Sequence, residues 1–187
     1  MGFQIRHSET RYQGYATIVA VTLAAADGET LVCEVEDHGH AACVLPYDPQ
    51  RRSVLLVRLP RAPVIWVGGP AELLEAPAGM VEDEPPGATA RREVLEEAGV
   101  RLAELEPLGA PFSSPGVSTE RIALYLAPYS LTDRVAAGGG SPAEQEHITV
   151  VELPLAEFWR AVDMGEIEDL KTLALAYALR CRHPDLF

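Results

Sequence analysis

Positive charge is scarce in this chain of 187 residues. Lys and Arg number 15 against 28 Asp and Glu, a formal net charge of −13. A surface of that sign repels phosphate backbones and anionic headgroups, which argues against nucleic acid or membrane as a partner. An anionic small substrate is compatible with it if metal ions and a local arginine patch neutralise the charge. Cysteine is scarce as well. Cys33, Cys43 and Cys181 are scattered with no C-x-x-C spacing. That pattern argues against a disulfide scaffold or a zinc site and points to a reduced, cytoplasmic protein. Long apolar runs are missing. The longest early one, Ile18 to Ala26, is too short to span a bilayer and follows a polar start, so neither a transmembrane segment nor a signal peptide is expected. There is no internal repeat. What is present is a globular share of apolar residues, 48%, enough to give one domain a real core with room for an appendage.

Residues 3–37 read as two or three strands. Tyr15 to Leu23 is rich in β-branched residues, Ala25 to Gly28 forms a turn, and Thr30 to Glu36 alternates. This hairpin is either an arm packed on a second subunit or part of the main sheet. Ala41 to Pro46 and Ser53 to Leu59 read as core strands joined by the turn Pro49 to Arg52. Arg58 and Arg61 lie where the second of these strands ends. Bidentate guanidinium groups there are suited to gripping phosphate, the alternative being solvated strand-end charges. The loop Ala62 to Ala71 holds Trp66, a stacking candidate or a core residue. Further on, Val100 to Pro107 is expected to be a strand, followed by a loop at Phe112 to Gly116. Ile122 to Leu126 and Thr149 to Leu153 are expected to be strands. Between those two, Ala136 to His147 reads as a flexible loop, a Gly run followed by Glu144 and Glu146. A mobile catalytic loop and an acidic hinge both fit its composition. Leu155 to Met164 and Leu170 to Arg182 read as helices, the latter N-capped by Asp169.

The chain is organised around Ala78 to Val100, A-G-M-V-E-D-E-P-P-G-A-T-A-R-R-E-V-L-E-E-A-G-V. Its second half, Arg91 to Ala98, reads as a short helix, with Gly99 where a left-handed cap belongs. Glu93 and Glu97 lie one turn apart on the same face, and Glu96 is splayed from them. Like charges at that spacing repel by a few tenths of a kcal/mol. Arg91 and Arg92 neutralise part of the cluster. A hard divalent cation taking carboxylate oxygens would account for the rest, the bland alternative being a solvated acidic face.

These residues resemble the Nudix box, G-x5-E-x7-R-E-U-x-E-E-x-G-U with U aliphatic. Arg92 to Val100 matches every specified position of its second half. The first half departs from it: only four residues separate Gly79 from Glu84, which leaves the role of Glu84 open. L-L-V-R-L-P-R, S-S-P-G-V-S-T-E-R, A-G-G-G-S-P-A-E-Q-E-H and G-E-I-E-D-L-K-T follow in the expected order. From about Glu9 to Leu179 the chain resembles the ADP-ribose pyrophosphatase branch of the Nudix hydrolases, nearest to its GDP-mannose pyrophosphatases. Pro115, sixteen residues past Gly99, fits the ADP-sugar branch.

The resemblance implies an α/β fold, an α/β/α sandwich on a mixed sheet. It also implies a β arm at 1–38, exchanged in a homodimer, ahead of a hydrolase domain at 39–187. It implies cleavage of a small nucleotide sugar, GDP-mannose or ADP-ribose, to a nucleoside monophosphate and a sugar phosphate. Mg²⁺, with Mn²⁺ as an alternative, would be held by Glu93, Glu97, the Ala78 carbonyl and Glu146. Arg92 would orient the carboxylates. Glu144 would be the catalytic base, although Glu144 and Glu146 could exchange roles. Arg58 and Arg61 would hold phosphates, and Ser114 and Gly116 would border the sugar. A non-catalytic sensor of nucleotide sugars is the alternative, but such proteins usually lose the helix carboxylates, and all are present here.

Overall fold

The computed structural model describes residues 2–140 and 147–187. It divides into two compact units, one of residues 1–40 and 111–122, the other of residues 41–110 and 123–187. Glu144 and Glu146 lie outside the described residues.

The first unit is a three-stranded antiparallel sheet of β1 (Gln4–Gln13), β2 (Thr17–Ala24) and β3 (Thr30–Asp37) in that order. Both β1–β2 and β2–β3 are hairpins, and β1 is exposed along its whole length. The segment 111–122 is stitched to the end of β3. Glu36 N–H donates to the Val117 carbonyl (2.8 Å), Thr119 N–H to the Glu36 carbonyl (3.0 Å), and the Thr119 hydroxyl to Asp37 (2.8 Å).

The second unit is an α/β sandwich on a mixed seven-stranded sheet. Its strands are β4 (His40–Asp48), β5 (Ser53–Leu59), β6 (Leu73–Glu75), β7 (Ala78–Val81), β8 (Glu106–Gly109), β9 (Ile122–Pro128) and β10 (Thr149–Pro154), and its helices are α1 (Ala62–Trp66), α2 (Pro86–Ala98), α3 (Leu155–Asp163) and α4 (Leu170–Arg182). The main path runs β10-β5-β4-β9-β8. β10 pairs with β5 from Ser53 to Arg58. On the other edge of β5, β4 pairs only at Val54 and Ser53, and β6 takes over at Val57 to Leu59. β4 and β5 therefore splay apart after their turn, and β6 and β7 fill the gap. That splay carries Ala78 into the sheet beside α2.

Alternation along β4 sorts the layers. Ala42 and Val44 join a buried cluster with Ala90, Val94 and Ala98 of α2. Cys43 and Tyr47 point the other way, bonding the Ala76 carbonyl and His183. Phe158 of α3 and Leu175 and Leu179 of α4 are fully buried.

α2 starts five residues before the sequence expectation because Pro86 occupies its first turn, where a missing N–H is harmless. It stops at Gly99 in the left-handed conformation (φ 70°). The expected strand Val100 to Pro107 is mostly irregular, and the strand there is β8. Arg91 holds this segment against α2, its guanidinium donating to the carbonyls of Leu102, Ala103 and Gly87. The expected loop at Ala62 to Ala71 begins with the short helix α1. Trp66 at its end is 89% exposed, so a core role is overturned.

Candidate active site

Helix α2 and strand β7 position the helix carboxylates. α2 buries Thr89, Ala90, Val94, Glu97 and Ala98, an i, i+4 stripe facing the sheet. Glu97 sits on that stripe at 3% exposure. Glu93 borders it, and Glu96 is on the solvent side. The Glu97 Oε2 accepts from the Ala78 N–H at 3.2 Å, so helix and strand β7 meet at this carboxylate.

Arg92 gathers the remaining acids. Its Nε donates to Glu84 (3.0 Å), its Nη1 to Glu96 (3.0 Å), and its Nη2 pairs with Glu93 (2.8 Å). Desolvation works against the guanidinium charge, but the Glu84 hydrogen bond and the charges of Glu93 and Glu96 prevail and raise its pKa. Despite the shortened loop, Glu84 still reaches this arginine. The like charges on α2 are thus partly neutralised within the chain.

Gly79 makes room for Glu93. A Cβ built at Gly79 would lie 1.9 Å from Glu93 Oε1 and 2.0 Å from its carboxyl carbon. The atoms in the way are the end of a movable side chain, so Gly79→Ala is expected to leave thermal stability nearly unchanged. It would push the Glu93 carboxylate out of place and lower kcat/KM by about tenfold or more, a loss of about 1.4 kcal/mol per decade. Thermal melts and kinetics on one preparation check this, and equal losses in both would refute it.

Glu93, Glu97 and the main-chain oxygen of Ala78 offer only oxygen donors. Among the described residues no group of three or more His, Cys, Asp or Glu side chains has metal-binding geometry. Two carboxylates and a carbonyl would make a partial oxygen shell, which suits an ion that keeps several waters, as Mg²⁺ does. The cradle at Gly79 and the oxygen-only donor set fit a hard cation and do not fit zinc.

The structure separates the two candidate phosphate arginines. Arg58 is exposed on β5 and lines a pocket of about 350 Å³ with Glu72, Leu74, Glu157 and Arg160. Arg61 instead donates through Nε and Nη2 to Glu75, at 2.8 and 2.9 Å. Glu75 is 1% exposed and also accepts from Lys171, at 2.5 Å. Burial would raise the Glu75 pKa, but the Arg61 hydrogen bonds and the Lys171 charge outweigh it and lower it. Lys171, the chain's single lysine, also bonds Asp169 at 2.8 Å. Asp169 caps α4 as its sequence implied, accepting from Thr172 N–H, and the Thr172 hydroxyl accepts from Ala76 N–H at 2.7 Å.

Sequence reasoning had no role for Glu75, Lys171 or Thr172. The G-E-I-E-D-L-K-T segment was a visible signal without a mechanism. Its role in the fold is to staple α4 to residues 75–76, immediately before Ala78. Ser114 and Gly116 lie in the other unit. There the Ser114 carbonyl accepts from Val117 N–H and Ser118 N–H, and Gly116 is open to solvent. Cys43 is fully buried, and burial pushes its thiol pKa up, as befits an inert core residue.

The chain matches the NUDIX domain family over residues 37–175. It is 37% identical over 175 residues to a GDP-mannose pyrophosphatase of Shigella flexneri, covering 90% of each chain. It is 38% identical over 168 residues to a GDP-mannose pyrophosphatase of Cronobacter sakazakii, covering 88% of this chain and 86% of that one. A solved structure of an ADP compounds hydrolase shares the fold at a TM-score of 0.75 and 20% identity, covering 99% and 96% of the two chains. With the box carboxylates on α2 and the glycine cradle before them, these matches establish that the chain belongs to the NUDIX domain family.

Proposed function

We propose that the protein hydrolyses the pyrophosphate bond of a nucleoside diphosphate sugar in a divalent-metal-dependent reaction. GDP-mannose is the first choice of substrate, given the relatives, and ADP-ribose the second. The products are a nucleoside monophosphate and a sugar phosphate. The observation that carries this reading is the pair Glu93 and Glu97, set on one side of α2 against the Ala78–Gly79 entrance.

Glu93, Glu97 and the Ala78 carbonyl would hold Mg²⁺. When bound, Mg²⁺ screens the pyrophosphate charge and acidifies a water. Arg92 pairs with Glu93 and fixes its direction. Glu144 would take the proton of the attacking water and Glu146 would be a further metal ligand, or the two would exchange roles. Arg58, in its exposed position, meets a phosphate. Arg61 has two donors engaged by Glu75 and contributes through its remaining amino group. Ser114 and Gly116 border the sugar.

The three-stranded arm exposes Phe3, Ile5, Tyr12, Leu31 and Val32, more apolar surface than an isolated sheet of this size supports. It is the surface through which the chain forms a homodimer. Among the described residues no helix is long and apolar enough to cross a membrane, and we place the protein in the cytoplasm.

The test is a substrate panel with Mg²⁺ and, separately, Mn²⁺: GDP-mannose, ADP-ribose, GDP-glucose, NADH, a diadenosine polyphosphate and nucleoside triphosphates. Release of phosphatase-sensitive product from the GDP-sugars is the expected result. Preference for ADP-ribose would keep the residues and change the substrate. Silence with both metals would leave a nucleotide-sugar sensor.

A further inference from the structure

The C-terminal turn of a helix leaves four carbonyls without partners inside the helix. In α2 two of these belong to Glu96 and Glu97 themselves. The chain returns to them forty residues later. Gly139 N–H donates to the Glu97 carbonyl at 2.8 Å and Gly140 N–H to the Glu96 carbonyl at 3.1 Å. Just before, Val135 N–H and Ala136 N–H both donate to the Gly99 carbonyl, at 2.9 and 3.1 Å. The approach is too close for side chains. A Cβ at Gly138 would stand 2.4 Å from the Glu97 carbonyl oxygen and 2.8 Å from Ala98, all backbone atoms that cannot swing aside. Gly138 also holds a φ of +74°, which L-residues rarely adopt. The glycine run therefore has a docked conformation, and its target is the main chain of the residues whose side chains form the candidate site.

We propose that Gly138, Gly139 and Gly140 are positioning residues for Glu97. They lock the last turn of α2 so that the Glu97 carboxylate stays against Ala78. The inference rests on the metal-binding role assigned to Glu97. It gives the A-G-G-G motif a physical role, because small residues let a second main chain hydrogen-bond the helix end from within van der Waals range.

Gly165 supplies a matched control, because its φ is +73° and an added Cβ would meet nothing within 4 Å. G138A carries the same backbone strain plus the collision at Glu97, whereas G165A carries the strain alone. The experiment compares Mn²⁺ affinity, read as free Mn²⁺ by electron paramagnetic resonance, with thermal stability for wild type, G138A, G165A and E97Q. G138A is expected to lose about tenfold or more in Mn²⁺ affinity, the range for groups that orient metal ligands. G165A is expected to melt lower and bind Mn²⁺ as wild type does. Wild-type affinity in G138A would overturn the inference alone. A wild type whose Mn²⁺ binding is absent or insensitive to E97Q would overturn the Glu97 reading and the inference with it.

A second measurement does not depend on G138A folding. In the wild type, Gly139 and Gly140 amides are expected to be protected from hydrogen exchange and to slow further with Mg²⁺, with no Mg²⁺ effect in E97Q. Unprotected amides, or amides indifferent to Mg²⁺ in a wild type that binds it, would refute the coupling.

Discussion

Glu97→Gln is expected to lower kcat/KM for the nucleotide sugar by about a thousandfold or more, roughly 4 kcal/mol of transition-state stabilisation, while the protein melts no lower than wild type. Both halves follow from its position. Glu97 is 3% exposed and accepts from Ala78 N–H. Glutamine keeps an oxygen for that hydrogen bond and nearly the same volume, so the packing of α2 on β7 survives. It removes one of two like charges one turn apart on α2, a repulsion of a few tenths of a kcal/mol that works against the fold before any cation arrives. The catalytic loss comes from the same change, because a neutral amide is a poor ligand for a hard cation. Melting curves with and without Mg²⁺ separate the effects. The wild type is expected to gain stability from Mg²⁺ by ligand linkage and the variant to gain little. Full activity in the variant would sink the metal assignment, and a large fall in stability without Mg²⁺ would show that Glu97 is structural.

Glu75→Gln is expected to act in the opposite sense, on stability first. Glu75 receives two hydrogen bonds from Arg61 and one from Lys171 at 1% exposure. Removing the anion leaves the largely buried Lys171 and the part-exposed Arg61 facing a neutral amide, which costs about 3 kcal/mol, the low end for a broken buried pair because Arg61 reaches solvent and Lys171 keeps Asp169. For a chain of this size that is a fall of roughly 10 °C in melting temperature. The pH dependence identifies the cause. The Glu75 pKa is lowered from its ordinary 4.5, with burial opposing and Arg61 and Lys171 prevailing. Its contribution is therefore complete above the unfolded carboxyl value and is lost as pH falls through the lower folded one. The Lys171 pKa is raised above 10.5, with burial opposing and the carboxylates of Asp169 and Glu75 prevailing. Its contribution is complete below 10.5 and is lost as pH rises through the folded value. Wild type minus variant stability is expected to be flat near neutrality and to shrink in acid. A difference unchanged down to pH 2 would refute the ion-pair account. Activity is expected to fall as well, since the staple through Thr172 and Ala76 holds the strand that delivers Ala78.

The α2 segment was legible because its signals are local. Glutamates one helical turn apart and a capping glycine report on neighbours within a few residues, whereas the helix start at Pro86 went unread. Glu84 shows the limit of spacing rules. The loop before it is one residue short of the pattern, yet its carboxylate lies 3.0 Å from Arg92, because a long guanidinium absorbs the shift. Trp66 shows the limit of composition, since an indole suits a core, a stacking platform or an exposed helix end equally well.

The amino-acid sequence alone specifies an acidic chain whose helix before Gly99 carries Glu93, Glu96 and Glu97 in a pattern that resembles the Nudix box. Those features depend on periodicity and on residues adjacent in the chain. Only the tertiary structure decided that Arg61 and Lys171 converge on Glu75, and that Arg58 instead lines a pocket with Glu72 and Arg160. Only it decided that Gly139 and Gly140 bond the carbonyls of Glu97 and Glu96. The reason is physical: hydrogen bonds and ion pairs between distant segments follow from where the splayed strands and packed helices bring their backbones, and no local pattern encodes that distance.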